Sequence, residues 1–553
     1  MEHLHQLSSS HLKRLRQLER KFNQNLKTEV TITDLAEILF CSERNVSKLM
    51  VSLESQGILK WLPGRGRGNH SKLTLVKNFE DALFDKIEGM VQGGKMNEAF
   101  ILAQQFDCVW QFQNHLPQWL DEAKQRLKQQ NTLMYVVPYS LPEWRPHLAL
   151  STRSILMIES VFDTLVRFDS EQQEIKPYLA HQVDVDGLQI RVRIRNNIQL
   201  HNGEMLTPEM VKTNFDMRCK TIHPYQILFR HLVNIEVEKQ WIVFYLDQHD
   251  PVFLHLLADI HSAIFDLNSD TPVGSGAYQV ERLEPHRWSL IRNTHYFAFG
   301  GHIERAEFWS SNELPISAIH VEESCWTYLD PTDSKDIIEH SGCTVLQFPH
   351  HKNVLSNEEL SWIVHYSRAY VNGAEVREAN SIMHCHQEKG FHLFNRGMKR
   401  PSRPVVFEVK DTHRAEIQPL LSALRRNGLD LLIKDKAGFD SPGSTDVFYD
   451  CYAFGDDIAF QYYEWLLCGD VFTRCLSNDA KKSLLSFVDA LMRESISSSE
   501  FLQKLHRAED WLIQNYYYCP LWRDHIAYRR ADNVYGTDTS SMGVMTLSNM
   551  WLE

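Results

Sequence analysis

No stretch of about 18 consecutive apolar residues occurs in the 553-residue chain, so no segment reads as a membrane-spanning helix. The first residues, Met1 to Gln17, carry charge with no apolar core behind it. No secretory signal peptide is read there, and a cytoplasmic protein is expected. The ten cysteines form no Cys-x-x-Cys pair and no dense cluster. That excludes a disulfide-stapled secreted fold and leaves reduced thiols packed as small hydrophobes. Also missing are a Gly-x-x-x-x-Gly-Lys-Ser/Thr phosphate loop, a Gly-x-Ser-x-Gly elbow and a His-Glu-x-x-His helix. Without those constellations no enzyme and no cofactor is expected. His384-Cys385-His386 with His392, and His350-His351, have spacings that could ligate a transition metal. No third and fourth ligand can be placed around them, and a metal centre is not expected.

What is present is a globular composition, 43% apolar, 11% aromatic and 23% charged, in a chain long enough for several buried cores. The charge is divided unevenly. Residues 1–75 carry +5 and the remainder −18, within a total of −13. A basic head on an acidic body implies that the head alone meets a polyanion.

Within the head, Leu12, Leu15, Leu18 and Phe22 predict a helix over 8–25. A short helix opens near Thr31 with Thr33 as its expected N-cap, Phe40-Cys41 turns the chain, and Ser42 caps a second helix that Gly57 stops. Strands over 58–62 and 72–76 flank a glycine-rich loop. Helix, helix-turn-helix and hairpin in that order make a winged helix-turn-helix. The second helix would expose Glu43, Arg44, Asn45, Ser47 and Lys48 just after Ser42. Arg and Asn pair bidentately with guanine and adenine edges in the major groove, while Ser and Lys suit phosphates. Arg65, Arg67 and His70 in the loop would grip the backbone or the minor groove, so double-stranded promoter DNA is the expected partner. A winged helix that docks a protein remains the alternative.

Residues 77–132 read as a helical connector between this head, 1–76, and a large mixed α/β body, 133–553. The charged stretch at 117–130 could pair with a second copy in a homodimer. Three separated motifs mark the body: Val161-Phe-Asp-Thr-Leu-Val-Arg-Phe-Asp with Ile175-Lys-Pro-Tyr-Leu-Ala-His, then the alternating strand from Gln189 through His201-Asn-Gly to Thr207-Pro-Glu, then Thr271-Pro-Val-Gly-Ser-Gly-Ala-Tyr with Leu290-Ile-Arg-Asn-Thr-His-Tyr-Phe. In order and spacing they resemble solute-binding family 5, the oligopeptide, dipeptide and nickel class. The resemblance implies a two-lobed, periplasmic-binding-protein-like type II domain with its ligand between the lobes. Joined to a DNA-binding head, the whole is similar to the SgrR family of bacterial transcriptional regulators. That similarity implies a regulator whose body senses a small metabolite, with a sugar phosphate as one candidate and a peptide as another.

Peptide-binding members carry an Asp that holds the peptide's amino group, and the corresponding stretch here is Asp450-Cys-Tyr-Ala-Phe-Gly-Asp-Asp-Ile, with Ala453 at that position. Candidate ligand contacts are therefore Tyr139, Trp144, Arg153, Tyr452, Asp456, Trp465, Trp522 and Arg523, since aromatic platforms and arginine forks suit sugars and their phosphates. A peptide- or solute-binding protein with a protein-docking head is the competing expectation, and a hydrolase on the same fold is a third.

Overall fold

Leucines spaced three apart build the first helix of the computed structural model, which describes residues 7–64, 70–128, 131–137, 139–310, 336–339, 342–350, 355–383, 386, 397–410, 413–435, 445–523, 525–528, 534–536 and 546–553. The head consists of α1 (Ser9–Glu19), β1 (Thr28–Val30), α2 (Ile32–Ile38), α3 (Glu43–Ser55), β2 (Leu59–Leu62) and β3 (Ser71–Leu75). Its strands form an antiparallel sheet in the order β1-β3-β2. The N-cap of α2 is Thr31, not Thr33. The Thr31 hydroxyl accepts from Asp34 N at 3.0 Å, and the Asp34 carboxylate accepts from Thr31 N at 3.3 Å. This reciprocal capping box satisfies two orphan donors at once, whereas the Thr33 hydroxyl donates to Glu43 across the turn at 2.8 Å.

Three helices follow, α4 (Phe79–Gln92), α5 (Met96–Gln105) and α6 (Val109–Lys128). They share one apolar cluster with the winged helix, and that cluster runs on into Met134, Val136 and Trp309 of the body. The segment expected as a connector is thus packed on both sides.

The first lobe contains β4 (Thr132–Val137), α7 (Ile155–Val161), β5 (Val166–Asp169), β6 (Glu174–Pro177), β7 (Ala180–Asp186), β8 (Gln189–Ile194), α8 (Pro208–Lys220), β9 (Leu232–Glu238), β10 (Trp241–Leu246), α9 (Phe253–Ala258), β11 (Tyr278–Glu284), β12 (Arg287–Arg292) and β13 (Arg305–Ser310). One sheet is antiparallel in the order β7-β8-β10-β9. The other runs β11-β12-β13-β4, with β4 parallel to β13. Alternation in β8 buries Ile190, Val192 and Ile194 and turns the intervening arginines outward. The glycines of the 271–278 motif serve close approach: a Cβ on Gly274 or Gly276 would lie 2.4 Å from the carbonyl oxygen of Val161 or Ser160.

The second lobe holds β14 (Asp336–Glu339), β15 (Thr344–Gln347), α10 (Asn357–Gly373), β16 (Arg377–Glu378), β17 (Val405–Val409), α11 (Arg414–Arg426), β18 (Leu431–Asp435), β19 (Val447–Cys451), α12 (Ile458–Cys468), α13 (Asn478–Arg493), α14 (Ser498–Gln514), β20 (Tyr518–Pro520) and β21 (Trp522–Arg523). Its main sheet runs β18-β17-β19-β15-β20. The chain then returns through β22 (His525–Tyr528), β23 (Val534–Tyr535) and β24 (Trp551–Leu552). Val534, Leu547 and Met550 complete the first lobe's core around Leu133, Tyr135 and Phe308. A further apolar cluster includes Leu228 and Phe229 of the first lobe together with Phe460, Tyr463 and Val488 of the second. No helix among the described residues is long and apolar enough to cross a membrane.

Candidate functional site

The outer face of α3 is built by its inner one. Val46, Met50 and Leu53 are fully buried, so helical spacing pushes Arg44, Asn45, Ser47 and Lys48 into solvent together with Ser42 and Glu43. Glu43 is engaged by Thr33 at 2.8 Å. The side chains of Arg44, Asn45, Ser47 and Lys48 make no hydrogen bond or ion pair among the described residues, so four of the expected readers stand free at the helix start. Glu54 at the other end of α3 accepts from Trp61 N at 2.8 Å, which fixes the wing sheet to this helix. His70 is exposed at the base of the wing; Arg65 and Arg67 lie outside the described residues.

The helices behind the winged helix are held to the first lobe by more than apolar packing. Asn97 on α5 donates to Ser310 Oγ at 3.3 Å and lies 3.2 Å from His286 Nδ1. Arg287 donates to the Gly93 carbonyl while Glu307 holds it at 3.1 and 3.2 Å. On the other side, α1 reaches α4 through Arg16, which sits 5.2 Å over the Phe79 ring. A continuous path of packed groups therefore runs from α3 to the lobe sheet.

Between the lobes the walls are acidic. Glu159 on α7 is solvent-accessible yet surrounded by protein, as a group on a cleft wall is, and it has no hydrogen-bond or ion-pair partner among the described residues. Burial lifts its carboxyl to about 7, with Arg167 opposing and Asp259 and Asp456 adding to the rise. Arg167 is itself held by Asp163 at 2.8 Å and lies 3.4 Å over the Tyr178 ring. Across the cleft, Gln461 of α12 donates at 3.2 Å to both Asp259 and Glu464. Burial pushes the Glu464 carboxyl above its ordinary value, with His261 opposing. For His261, burial works against the charge, but Asp259 and Glu464 outweigh it and raise the pKa.

Asp259, His261 and Glu464 lie close enough to suggest a metal site. Both imidazole nitrogens, however, face oxygen acceptors, Asp259 Oδ1 at 2.5 Å and the Ala149 carbonyl at 3.1 Å. That arrangement suits an imidazolium held by the Asp259 carboxylate on one side and the Ala149 carbonyl on the other. Further links across the lobes are His255 with Asp457 at 2.7 Å and Arg230 with Asp489 and the Tyr463 hydroxyl, each at 2.5 Å.

The expected ligand contacts divide into three groups. Tyr139 and Arg153 come together, the guanidinium 5.0 Å over the ring, while Trp144 stacks on Phe162 at 6.4 Å. Tyr452 and Trp465 meet edge-on at 6.3 Å, and Asp456 lies within electrostatic reach of Glu159. Trp522 and Arg523 are core residues. Trp522 packs against Tyr370 and Tyr449, and Arg523, 2% exposed, donates to the carbonyls of Gly342, Ser381 and Ile382. Trp465 is also buried. Of the histidine clusters, His386 is buried beside Glu509 and His350 bonds the Tyr516 carbonyl at 2.9 Å; His351, His384, Cys385 and His392 lie outside the described residues. Glu159, Asp259 and Glu464 were not foreseen. For Glu159 and Glu464 the one signal in the sequence is a lone carboxylate inside an apolar helical run, Ile155-Leu-Met-Ile-Glu and Tyr462-Tyr-Glu-Trp.

Comparison with known proteins gives two family matches. Residues 11–123 match the sugar transport-related sRNA regulator N-terminal family, and residues 174–334 match the middle region of the bacterial extracellular solute-binding proteins, family 5. The first match covers the winged helix and α4–α6 alike. The uncharacterized protein YhjP of Bacillus subtilis is 23% identical over 95% of this chain and 96% of its own length. The HTH-type transcriptional regulator SgrR of Photorhabdus laumondii is 21% identical over 96% of each. Among solved structures, a dipeptide binding protein from Pseudoalteromonas in complex with Met-Leu superposes with a TM-score of 0.62 at 13% identity, over 76% of this chain and 100% of that one. The fold is thus that of the type II oligopeptide-binding class.

Proposed function

We propose that this chain is an SgrR-type transcriptional regulator, a DNA-binding head joined to a ligand-binding domain of solute-binding family 5, and that a solute held between the two lobes modulates promoter binding by α3. The observation that carries this reading is the packed joint. Asn97, Gly93 and Arg287 tie the helices behind the winged helix directly to the sheet of the first lobe, so a change in that lobe has a mechanical route to the DNA face. In this reading Arg44 and Asn45 contact base edges, Ser42, Ser47 and Lys48 contact phosphates, and Arg65, Arg67 and His70 of the wing contact the backbone or minor groove.

The charge of the cleft bears on the solute. A sugar phosphate would bring its negative charge against Glu159 and Asp456, beside Asp259 and Glu464, which share the His261 cation, with Arg167 already paired to Asp163. A solute carrying an amino group fits that wall better, so we favour a cationic or zwitterionic ligand there over the sugar phosphate expected at first. Tyr452 and Asp456 belong to the same side of the cleft in this reading.

The test is binding of the full chain to its own upstream DNA at two salt concentrations, with a dipeptide mixture, with a hexose phosphate and with neither. Salt-sensitive, sequence-specific binding that shifts with the peptide mixture is expected. Equal affinity for promoter and random duplex under every condition would refute the regulator reading and leave the head as a protein-docking module.

A further inference from the structure

A second site lies on the first lobe, beside the Tyr178 ring on which Arg167 rests. Where β8 runs out into the loop before the 201–203 turn, a cavity of about 350 Å³ opens between that strand end and the 293–300 loop. Its described lining is His181, Arg193, Arg195 and Asn196 around an apolar floor of Ile194, Ile198 and Phe297. No carboxylate is among these residues, in a protein whose net charge is −13.

The two arginines are placed differently from their neighbour Arg191, although all three alternate on one face of the strand. Arg191 is committed, to Glu238 at 3.3 Å and to the Trp241 ring at 4.9 Å. Arg193 stands opposite Gln182 on one neighbouring strand and Trp241 on the other, is exposed, and has no ion pair among the described residues. Arg195 is pinned by its Nε, which donates to the Tyr178 carbonyl at 2.6 Å. That bond holds the guanidinium in place and leaves both Nη groups without a protein acceptor among the described residues. A fixed guanidinium, a free one beside it, an imidazole and an amide supply many donors and no acceptor charge, over an apolar floor.

We propose that this cavity binds a small oxyanion of the phosphate-monoester class, with Arg193 and Arg195 on the phosphate and Ile198 and Phe297 under its carbon body. Paired guanidiniums match phosphate oxygens in a forked geometry, and the volume lies in the range of small-ligand pockets. The site uses none of the groups that bridge the lobes.

Titration calorimetry of the full chain with glycerol 3-phosphate, inorganic phosphate and glycerol tests the proposal. Glycerol 3-phosphate binds and glycerol does not. Arg193→Gln weakens the phosphate ligand about tenfold or more, while Arg191→Gln, which removes the same charge one alternation away, leaves it unchanged. Inorganic phosphate binding as tightly as the ester would assign the cavity to free phosphate, and weaker binding would assign it to the ester; either sustains the site. No binding of either phosphate overturns it. So does binding that Arg193→Gln leaves intact, or that duplex DNA displaces, since the phosphate would then sit on the head.

Discussion

Gly94, at the joint between head and first lobe, offers a sharp test of mechanical coupling when compared with Gly57. Both lie in the left-handed region, at φ +76° and +72°, where an L-residue costs about 1–2 kcal/mol. At Gly57 an added Cβ meets nothing within 4 Å, so that cost is the whole cost. At Gly94 it would fall 2.7 Å from Arg287 Cδ and 3.0 Å from Trp309 Cε2. Neither neighbour can yield cheaply. Arg287 is held by Glu307 at 3.1 and 3.2 Å, and Trp309 is 1% exposed. Overpacking of this kind adds about 1–3 kcal/mol. Gly94→Ala should therefore lower the melting temperature by about 1–3 °C more than Gly57→Ala. It should also leave the intrinsic affinity for DNA intact while abolishing the effect of solute on it. Thermal melts of both variants, with DNA-binding isotherms at zero and saturating solute, decide the matter. Equal melting shifts, or a solute effect undiminished in Gly94→Ala, would refute the coupling argument.

Arg44→Ala should weaken specific promoter binding by about 1–3 kcal/mol and non-specific binding much less; fluorescence anisotropy against cognate and random duplexes separates the two, and equal losses would move Arg44 to a phosphate. Glu159 should make binding of a cationic solute pH-dependent. With its carboxyl at about 7, the group is largely neutral at pH 6 and ionised at pH 8, so affinity rises across that window and Glu159→Gln flattens the profile. Arg523→Met, which strips the bonds to three buried carbonyls, should cost about 3–5 kcal/mol in denaturant unfolding with solute affinity unchanged in the folded fraction. Lost affinity at full stability would instead return Arg523 to the ligand site.

Much of the head was legible because its signals are local. Spacing of Leu12, Leu15 and Leu18, the start of α3 after Ser42 (whose side chain makes no capping bond) and the Gly57 stop each act within one or two turns of helix. The Thr33 assignment failed on a detail of the same kind: two threonines and one aspartate offered two caps, and only the Thr31–Asp34 pair is reciprocal. The alternation of β8 and the three body motifs pointed correctly to a two-lobed fold, since they record strand faces and close backbone approaches. The cleft was far harder to read. Asp259 and Gln461 meet across 202 positions, and nothing local marks either. Residue type misled at Trp522 and Arg523, where an aromatic beside an arginine looks like a sugar platform but serves as a core ring and a backbone staple.

The order in which the chain visits the lobes bears on its synthesis. Tyr135, near the start of the first lobe, donates its hydroxyl to Met550 Sδ at 3.4 Å, and the Tyr278 hydroxyl reaches the Leu547 carbonyl at 3.4 Å. The 547–550 segment is thus inside the lobe that carries the head, while the second lobe is an insertion made in between. A nascent or clipped chain ending before Leu547 would already own its recognition helix, yet its platform would still lack a wall. Such a fragment should grip DNA without answering to solute, so integrity of the 547–550 segment is a condition for regulation through the head.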